Sequence, residues 1–347
     1  MKKKAYYIGK TVFVGIDVHK KTYSVVAVCD GEQVKRDSIT AKPDQLVKYL
    51  KKYFGDAQIK SAYEAGFSGF HLHRYLLKNS IENIVVHAAA IEVSSRDKVK
   101  TDRRDALKIA TQLAVGRLKG INVPDTELED RRELSRLREH LIKERKRIAS
   151  KLKHKANYFG FIDADDTKVV SCSWIEKILT NPMGPETRYH IETLSSQWHT
   201  MHKTICEVDK RFKDQARADE AHEKIYRSVK GIGPTAARIL SNELGDMSQF
   251  SSERDLFSYV GLTPSEYSSG EHRRQGHITR QGKPVLRRIL VQCSWIAIKY
   301  DKSLKEVYDR LMHRRGAKRA IIGVARRLIG RIRACFRQEV AYSIKAD

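Results

Sequence analysis

Several things are scarce in this sequence, and each scarcity excludes a class of protein. Cysteine is one: the five residues, at 29, 172, 206, 293 and 335, are odd in number, widely spaced and never in a C-x-x-C pattern. That excludes a zinc ribbon or a dithiol redox motif and fits reduced thiols in a cytoplasmic protein. Long apolar runs are also missing: no window approaches the roughly 20 apolar residues of a membrane-spanning helix, so no membrane partner is expected. Behind Met1-Lys2-Lys3-Lys4, the apolar run Val12 to Ile16 is too short for an export leader and runs into Asp17. No P-loop signature occurs, so nucleotide hydrolysis of that type is not expected to drive the chemistry. Negative charge is the last shortage. Asp and Glu total 42 against 67 Lys and Arg, leaving a net charge of +25 and a polyanion as the expected partner.

What is present fills in the picture. At 347 residues, with 41% of them hydrophobic, the chain exceeds one typical domain and has enough apolar surface for more than one core. Between Glu271 and Arg337, 19 Lys/Arg face only 4 Asp/Glu, so this stretch is expected to meet phosphates rather than serve as an ordinary mixed-charge surface.

Three strands are predicted at Thr11–Asp17, Tyr23–Cys29 and Gln33–Thr40, with a turn at Asp30-Gly31; they are enriched in β-branched residues and bounded by turn formers. A helix follows Pro43, with Leu46, Leu50 and Tyr53 on one face. Then come a strand at Ile59–Ala65, a helix at Phe70–Lys78 and a strand at Ile84–His87. Three antiparallel-type strands followed by α–β–α–β is the element order of an α/β ribonuclease H-like fold. A helix at Lys100–Val115 carries Ala106, Ile109, Ala110, Leu113 and Ala114 on its apolar face. Beyond Pro124, Leu134, Leu137, Leu141 and Ile148 recur at helical spacing. Leu194, Trp198, Met201, Ile205, Val208 and Phe212 then step by four and three, the seam of a coiled coil that pairs either within the chain or between chains. The reversal is expected between Asp163 and Pro185. From about Ala221 the pattern is mainly α. Val229-Lys-Gly-Ile-Gly-Pro-Thr before the apolar helix Ala236–Leu244 reads as a helix-hairpin-helix-like turn, whose amides suit a phosphate. The expected division is therefore 1–120, an α/β catalytic domain; 121–220, a helical coiled-coil middle; and 221–347, a mainly α domain.

Four carboxylates stand out. Asp17 closes the first strand, Glu64 lies near the end of the fourth, and Asp102 and Asp105 are three apart on the following helix. Gathered together, they would repel one another without a cation, and their hard oxygens favour Mg²⁺ or Mn²⁺. Two such ions can stabilise both the attacking and the leaving oxygen in phosphoryl transfer. Structural readings stand beside these: Asp17 as a turn cap, and Asp102 as a helix N-cap after Thr101. Glu64, in the apolar setting Ser-Ala-Tyr-Glu-Ala-Gly-Phe, would be costly to bury without a cation.

Gly15-Ile-Asp17-Val-His-Lys-Lys, Tyr63-Glu64-Ala-Gly, Lys100-Thr-Asp102-Arg-Arg-Asp105-Ala, Gly231-Ile-Gly, Gly261-Leu-Thr-Pro264, Ser269-Gly270 and Gly276-His-Ile-Thr occur in this order along nearly the whole chain. Together they resemble the DEDD transposases of the one-ten family of insertion sequences, relatives of the Piv DNA invertase. The resemblance implies a RuvC-like N-terminal domain in which Asp17, Glu64, Asp102 and Asp105 bind Mg²⁺. It also implies a C-terminal serine, Ser269 by motif position and Ser268 after a shift of one, that forms a covalent phosphoserine link with DNA. Implied partners are donor and target DNA, a structured non-coding bridge RNA used by some members, and sister subunits of a dimer or tetramer with composite active sites. A cytoplasmic, nucleoid-associated enzyme is the expectation. Lys230, Gly231, Gly233, Arg273, Arg274, Arg280, Lys283, Arg287 and Arg288 are the candidate nucleic-acid contacts, and His277 is read as a phosphate or structural contact. Two other readings stay open: a RuvC-like junction resolvase with water as nucleophile, and a non-enzymatic nucleic-acid-binding protein.

Overall fold

The structure, a computed structural model, describes residues 7–92, 102–163, 166–266 and 275–344, with backbone alone at 102, 103 and 275. It divides into two compact units, 1–123 and 124–347. The helices of the expected middle segment, 121–220, fall in the second unit.

The first unit is a five-stranded mixed sheet with helices on both faces. Strands β1 (Thr11–Val18), β2 (Thr22–Cys29) and β3 (Glu32–Thr40) form an antiparallel meander. Asp30 and Gly31, both at positive φ, make the tight turn between β2 and β3. Helix α1 (Pro43–Phe54) starts with Pro43 in its first turn, where the missing N–H costs nothing. It buries Leu46, Val47, Leu50 and Phe54. Tyr53, expected on that face, is 40% exposed instead; the buried stripe runs one residue further along. Strand β4 (Gln58–Glu64), helix α2 (His71–Lys78), strand β5 (Glu82–Val86) and helix α3 (Asp102–Ala114) complete the unit. The sheet order is β3-β2-β1-β4-β5, with β4 parallel to β1 and β5 parallel to β4. Val12, Val14 and Ile16 of β1 share a core with Leu46 and Leu50 of α1 and Leu72 and Leu76 of α2. On the other face, Ile109 of α3 packs with Ala62 and Val86.

The second unit is mostly helical. Asp125 caps α4 (Thr126–Tyr158) by accepting from the Leu128 amide. Then follow α5 (Cys172–Leu179), α6 (Pro185–Ala218), α7 (Glu220–Ser228), α8 (Pro234–Leu244) and α9 (Glu253–Tyr259). A short antiparallel pair, β6 (Pro264–Glu266) and β7 (Gln275–Ile278), precedes α10 (Pro284–Ala297), α11 (Lys302–Arg315) and α12 (Ala317–Gln338). Helices α4 and α6 run antiparallel and pack along each other: Arg138 meets Asp209 at 2.7 Å, and Arg145 meets His202 at 2.8 Å. The seam residues Leu194, Trp198, Ile205, Val208 and Phe212 are buried, with Leu141 and Leu152 of α4 in the same two cores. The seam thus pairs within the chain. The reversal between the long helices carries α5, whose Trp174, Ile175 and Ile178 close the end of the helix pair.

Candidate carboxylate site

Strand alternation and one glycine position the expected carboxylates. On β1, burial of Val12, Val14 and Ile16 beneath α1 and α2 puts Phe13, Gly15 and Asp17 on the opposite face. That face carries α3, pressed so closely on β1 that a β-carbon built on Gly15 would lie 2.0 Å from the Ala106 carbonyl oxygen and 2.6 Å from the Ala110 nitrogen. No residue but glycine fits there. A lone glycine among β-branched residues is the sequence signal for such an approach.

Strand β4 follows the same logic. Tyr63 belongs to the α1/α2 core and Ala62 to the α3 core, so alternation sets Glu64 on the α3 face. The parallel register pairs Gly15 with Ala62 and Ile16 with Tyr63; one step further brings Asp17 level with Glu64. On α3, Asp105 immediately precedes Ala106, and Asp102, the first helical residue, lies one turn before it. Asp17, Glu64 and the start of α3 therefore share one side of the sheet.

The electrostatics differ from expectation in two respects. Glu64 is exposed, so burial does not by itself call for a cation: the strand ends here and its last side chain reaches solvent. Asp17 and Asp105 also have local partners. His19 Nε2 lies 3.0 Å from Asp17 Oδ2, and Lys108 Nζ lies 3.7 Å from Asp105 Oδ1. Among the described residues, no three His, Cys, Asp or Glu side chains are grouped closely enough to hold a metal ion. The Asp102 side chain, Ser268, Ser269, Arg273 and Arg274 lie outside the described residues. In sequence, Ser269 falls between β6 and β7.

The other candidates lie in the second unit. Gly231, at φ 108°, has its Cβ position 2.8 Å from the Cys293 carbonyl oxygen of α10, so packing between helices alone requires a glycine there. Lys230 and Gly233 are exposed beside it, and Gly233 leads into α8. Arg280 is exposed at φ 59°, and His277 is exposed on β7. Three expected phosphate contacts have protein partners. Lys283 reaches Glu243 at 2.7 Å, Arg287 donates to the Gly261 carbonyl at 3.2 Å, and Arg288 makes a two-pronged pair with Glu139 at 3.0 and 2.7 Å. The hydrogen bond from Arg288 is the main reason that the Glu139 carboxyl titrates below its usual range.

A polar knot holds α7 and α8 to α6. Arg238, 1% exposed, donates to Asp219, to the Gln215 carbonyl and to Asn242. Burial pushes the Asp219 carboxyl up, but hydrogen bonds from His222, Arg238 and Ser241 outweigh it and hold the group well below the usual carboxylate range. The hydrogen bond to Asp219 raises His222 in turn, against the effect of burial.

Comparison with known proteins agrees with this layout. Residues 14–156 match the DEDD transposase family of IS110, and residues 223–309 match the family described as "Transposase IS116/IS110/IS902 family". The Sinorhizobium fredii protein named "Putative transposase y4qE" is 30% identical over 82% of this chain and 72% of its own length. The transposase for insertion sequence element IS1533 of Leptospira borgpetersenii is 26% identical over 82% of this chain and 85% of its own. The matches define a transposase, an enzyme whose substrate is DNA. The chain belongs to the IS110 family of DEDD insertion-sequence transposases. No helix among the described residues is long and apolar enough to cross a membrane.

Proposed function

We propose that this transposase cuts and rejoins DNA through a covalent phosphoserine intermediate at Ser269, assisted by Mg²⁺ or Mn²⁺ held by Asp17, Glu64, Asp102 and Asp105. The observation that carries the reading is the contact of Gly15 with the Ala106 turn of α3, which sets the helix bearing two of the acids against the strand ends bearing the other two. The sheet order β3-β2-β1-β4-β5, antiparallel through its first three strands, supports a ribonuclease H-like, RuvC-like unit. The donor set is all carboxylate, the chemistry that hard divalent ions favour. A bound ion would neutralise phosphate charge and lower the energy of the attacking and leaving oxygens.

In the protein's own chemistry, the Ser269 Oγ–phosphorus bond forms as one phosphorus–oxygen bond of the strand breaks. The serine proton leaves to a base, and the departing sugar oxygen takes up a proton. The phosphodiester energy is kept for rejoining, so no nucleotide is consumed. Lys230 and the amide at Gly233 are the phosphate contacts of the helix-hairpin-helix-like turn. The α4/α6 pair acts as the coiled-coil connector between a catalytic domain at 1–120 and a serine domain at 221–347. A structured bridge RNA supplies target choice by base pairing, and a dimer or tetramer completes each active site with a serine from a sister subunit.

Strand exchange on paired end and target DNA tests this. Ser269→Ala should bind DNA and exchange nothing; Asp17→Asn and Asp105→Asn should lose exchange at all Mg²⁺ concentrations. A Ser269→Ala protein that still cuts would instead favour a water nucleophile and a RuvC-like nuclease.

A further inference from the structure

A groove of about 510 Å³ lies between α9, α11 and α12 in the second unit. It is far along the chain from the carboxylates; its arginines belong to the basic stretch 271–337, but none of them is among the candidate contacts named from the sequence. Arg310 of α11 and Arg326, Arg327 and Arg331 of α12 line it, with Phe257 and Glu253 of α9 opposite. Arg331 is committed to the fold, donating to Asp301, Ser303 and the Tyr342 hydroxyl. The other three guanidinium groups make no hydrogen bond or ion pair among the described residues.

Arg326 is the most informative of them. It is half-buried, its guanidinium carbon 4.8 Å from the centre of the Phe257 ring. Stacking holds the planar group in place while its N–H edges stay open. Burial draws the group's proton affinity down, opposed only by the charge of Glu253. A positive group kept partly out of water without a bonded counter-charge is costly unless an anion arrives to take its donors. Glu253 packs on the same helix: its carboxylate lies over Gly330, 2.9 Å from where a β-carbon would stand. Gly323, two turns earlier on α12, admits Leu311 of α11 more closely still, at 2.5 Å, so both walls are drawn onto the helix that carries Arg326 and Arg327.

We infer that this groove is a second nucleic-acid contact, in which Arg310, Arg326 and Arg327 grip the phosphodiester backbone and the nearby charge of Glu253 opposes the phosphate. Guanidinium forks match phosphate oxygens two at a time. The contact is independent of sequence and of the cutting chemistry.

The test uses the full chain with two probes of matched length, a duplex DNA and a folded RNA, titrated by fluorescence anisotropy across a salt series. Changing Arg310, Arg326 and Arg327 together to Gln should weaken binding of at least one probe by about 10-fold or more, and should lower the slope of log affinity on log salt by roughly 2 to 3. The probe that suffers identifies the strand held there. Glu253→Gln should tighten the same probe several-fold, a gain that unfolding cannot mimic. Should the triple variant melt early, Arg327→Gln alone, at an exposed position, should still lower the slope by about 1. Unchanged affinity and slope for both probes in Arg327→Gln, with no gain in Glu253→Gln, would overturn the inference. Run without divalent ions, the titrations read this contact apart from the cutting chemistry.

Discussion

Gly15→Ala is the sharpest single perturbation that the fold offers. The added methyl would sit 2.0 Å from the Ala106 carbonyl oxygen, where contacts under 3.0 Å essentially never occur. Both are backbone positions in regular elements, so no side chain can swing aside, and α3 must move about 1 Å away from β1. Overpacking of this kind costs roughly 1–3 kcal/mol. For a unit of this size that corresponds to roughly 4 °C in Tm per kcal/mol, or a fall of about 4–12 °C. The functional loss should be larger than the stability loss. Asp102 and Asp105 ride on the displaced turn, and a 1 Å misplacement of positioned groups costs on the order of 100-fold in rate. Calorimetry together with a strand-exchange assay below the variant's Tm separates the two effects. Wild-type exchange in a folded Gly15→Ala protein would refute the view that the Gly15–Ala106 contact positions the acids; an unchanged Tm would refute the packing itself.

Other outcomes follow from the polar knot and the helix pair. Arg238→Ala leaves the buried Glu223 and the half-buried Asp219 without their guanidinium and should cost about 3–5 kcal/mol by urea denaturation; a loss under about 1 kcal/mol would contradict the network. His222 is raised by its bond to Asp219, so its stabilisation is complete below the ordinary histidine value of about 6.5 and is lost as pH rises through the raised folded value. The Tm gap between wild type and His222→Gln should therefore shrink as pH climbs above about 6.5, and a gap that widens would reverse the assignment. Trp198→Ala, in the core between α4, α5 and α6, should cost about 3–5 kcal/mol, readable as a drop in the denaturation midpoint.

Local pattern carried the first unit far. The β-branched runs located β1 to β4, Asp30-Gly31 located their hairpin, and Asp17 and Glu64 were legible near the ends of the first and fourth strands; that they share a face needed the burial pattern. Helical spacing likewise identified the seam on α6. Long-range geometry was not legible. Whether the seam pairs within the chain depends on a reversal that also holds α5, and the Arg288–Glu139 pair joins residues 149 apart. Nothing in a basic stretch tells a phosphate contact from an arginine already spoken for. Burial of Glu64 failed as an expectation because an apolar neighbourhood in sequence does not show that the strand ends there. The unpaired Arg326 escaped notice for the converse reason: its neighbours Phe257 and Glu253 come from a helix some seventy residues away.

The most direct measurement of the central claim is the chemical identity of any DNA–protein link. After reaction with end and target DNA, protein denatured, digested and mapped by mass spectrometry should carry nucleotide on Ser269. That adduct should require Mg²⁺ or Mn²⁺ and be absent from Asp17→Asn. Cut DNA with no protein attached, or an adduct that forms equally without divalent ions and in Asp17→Asn, would contradict the account.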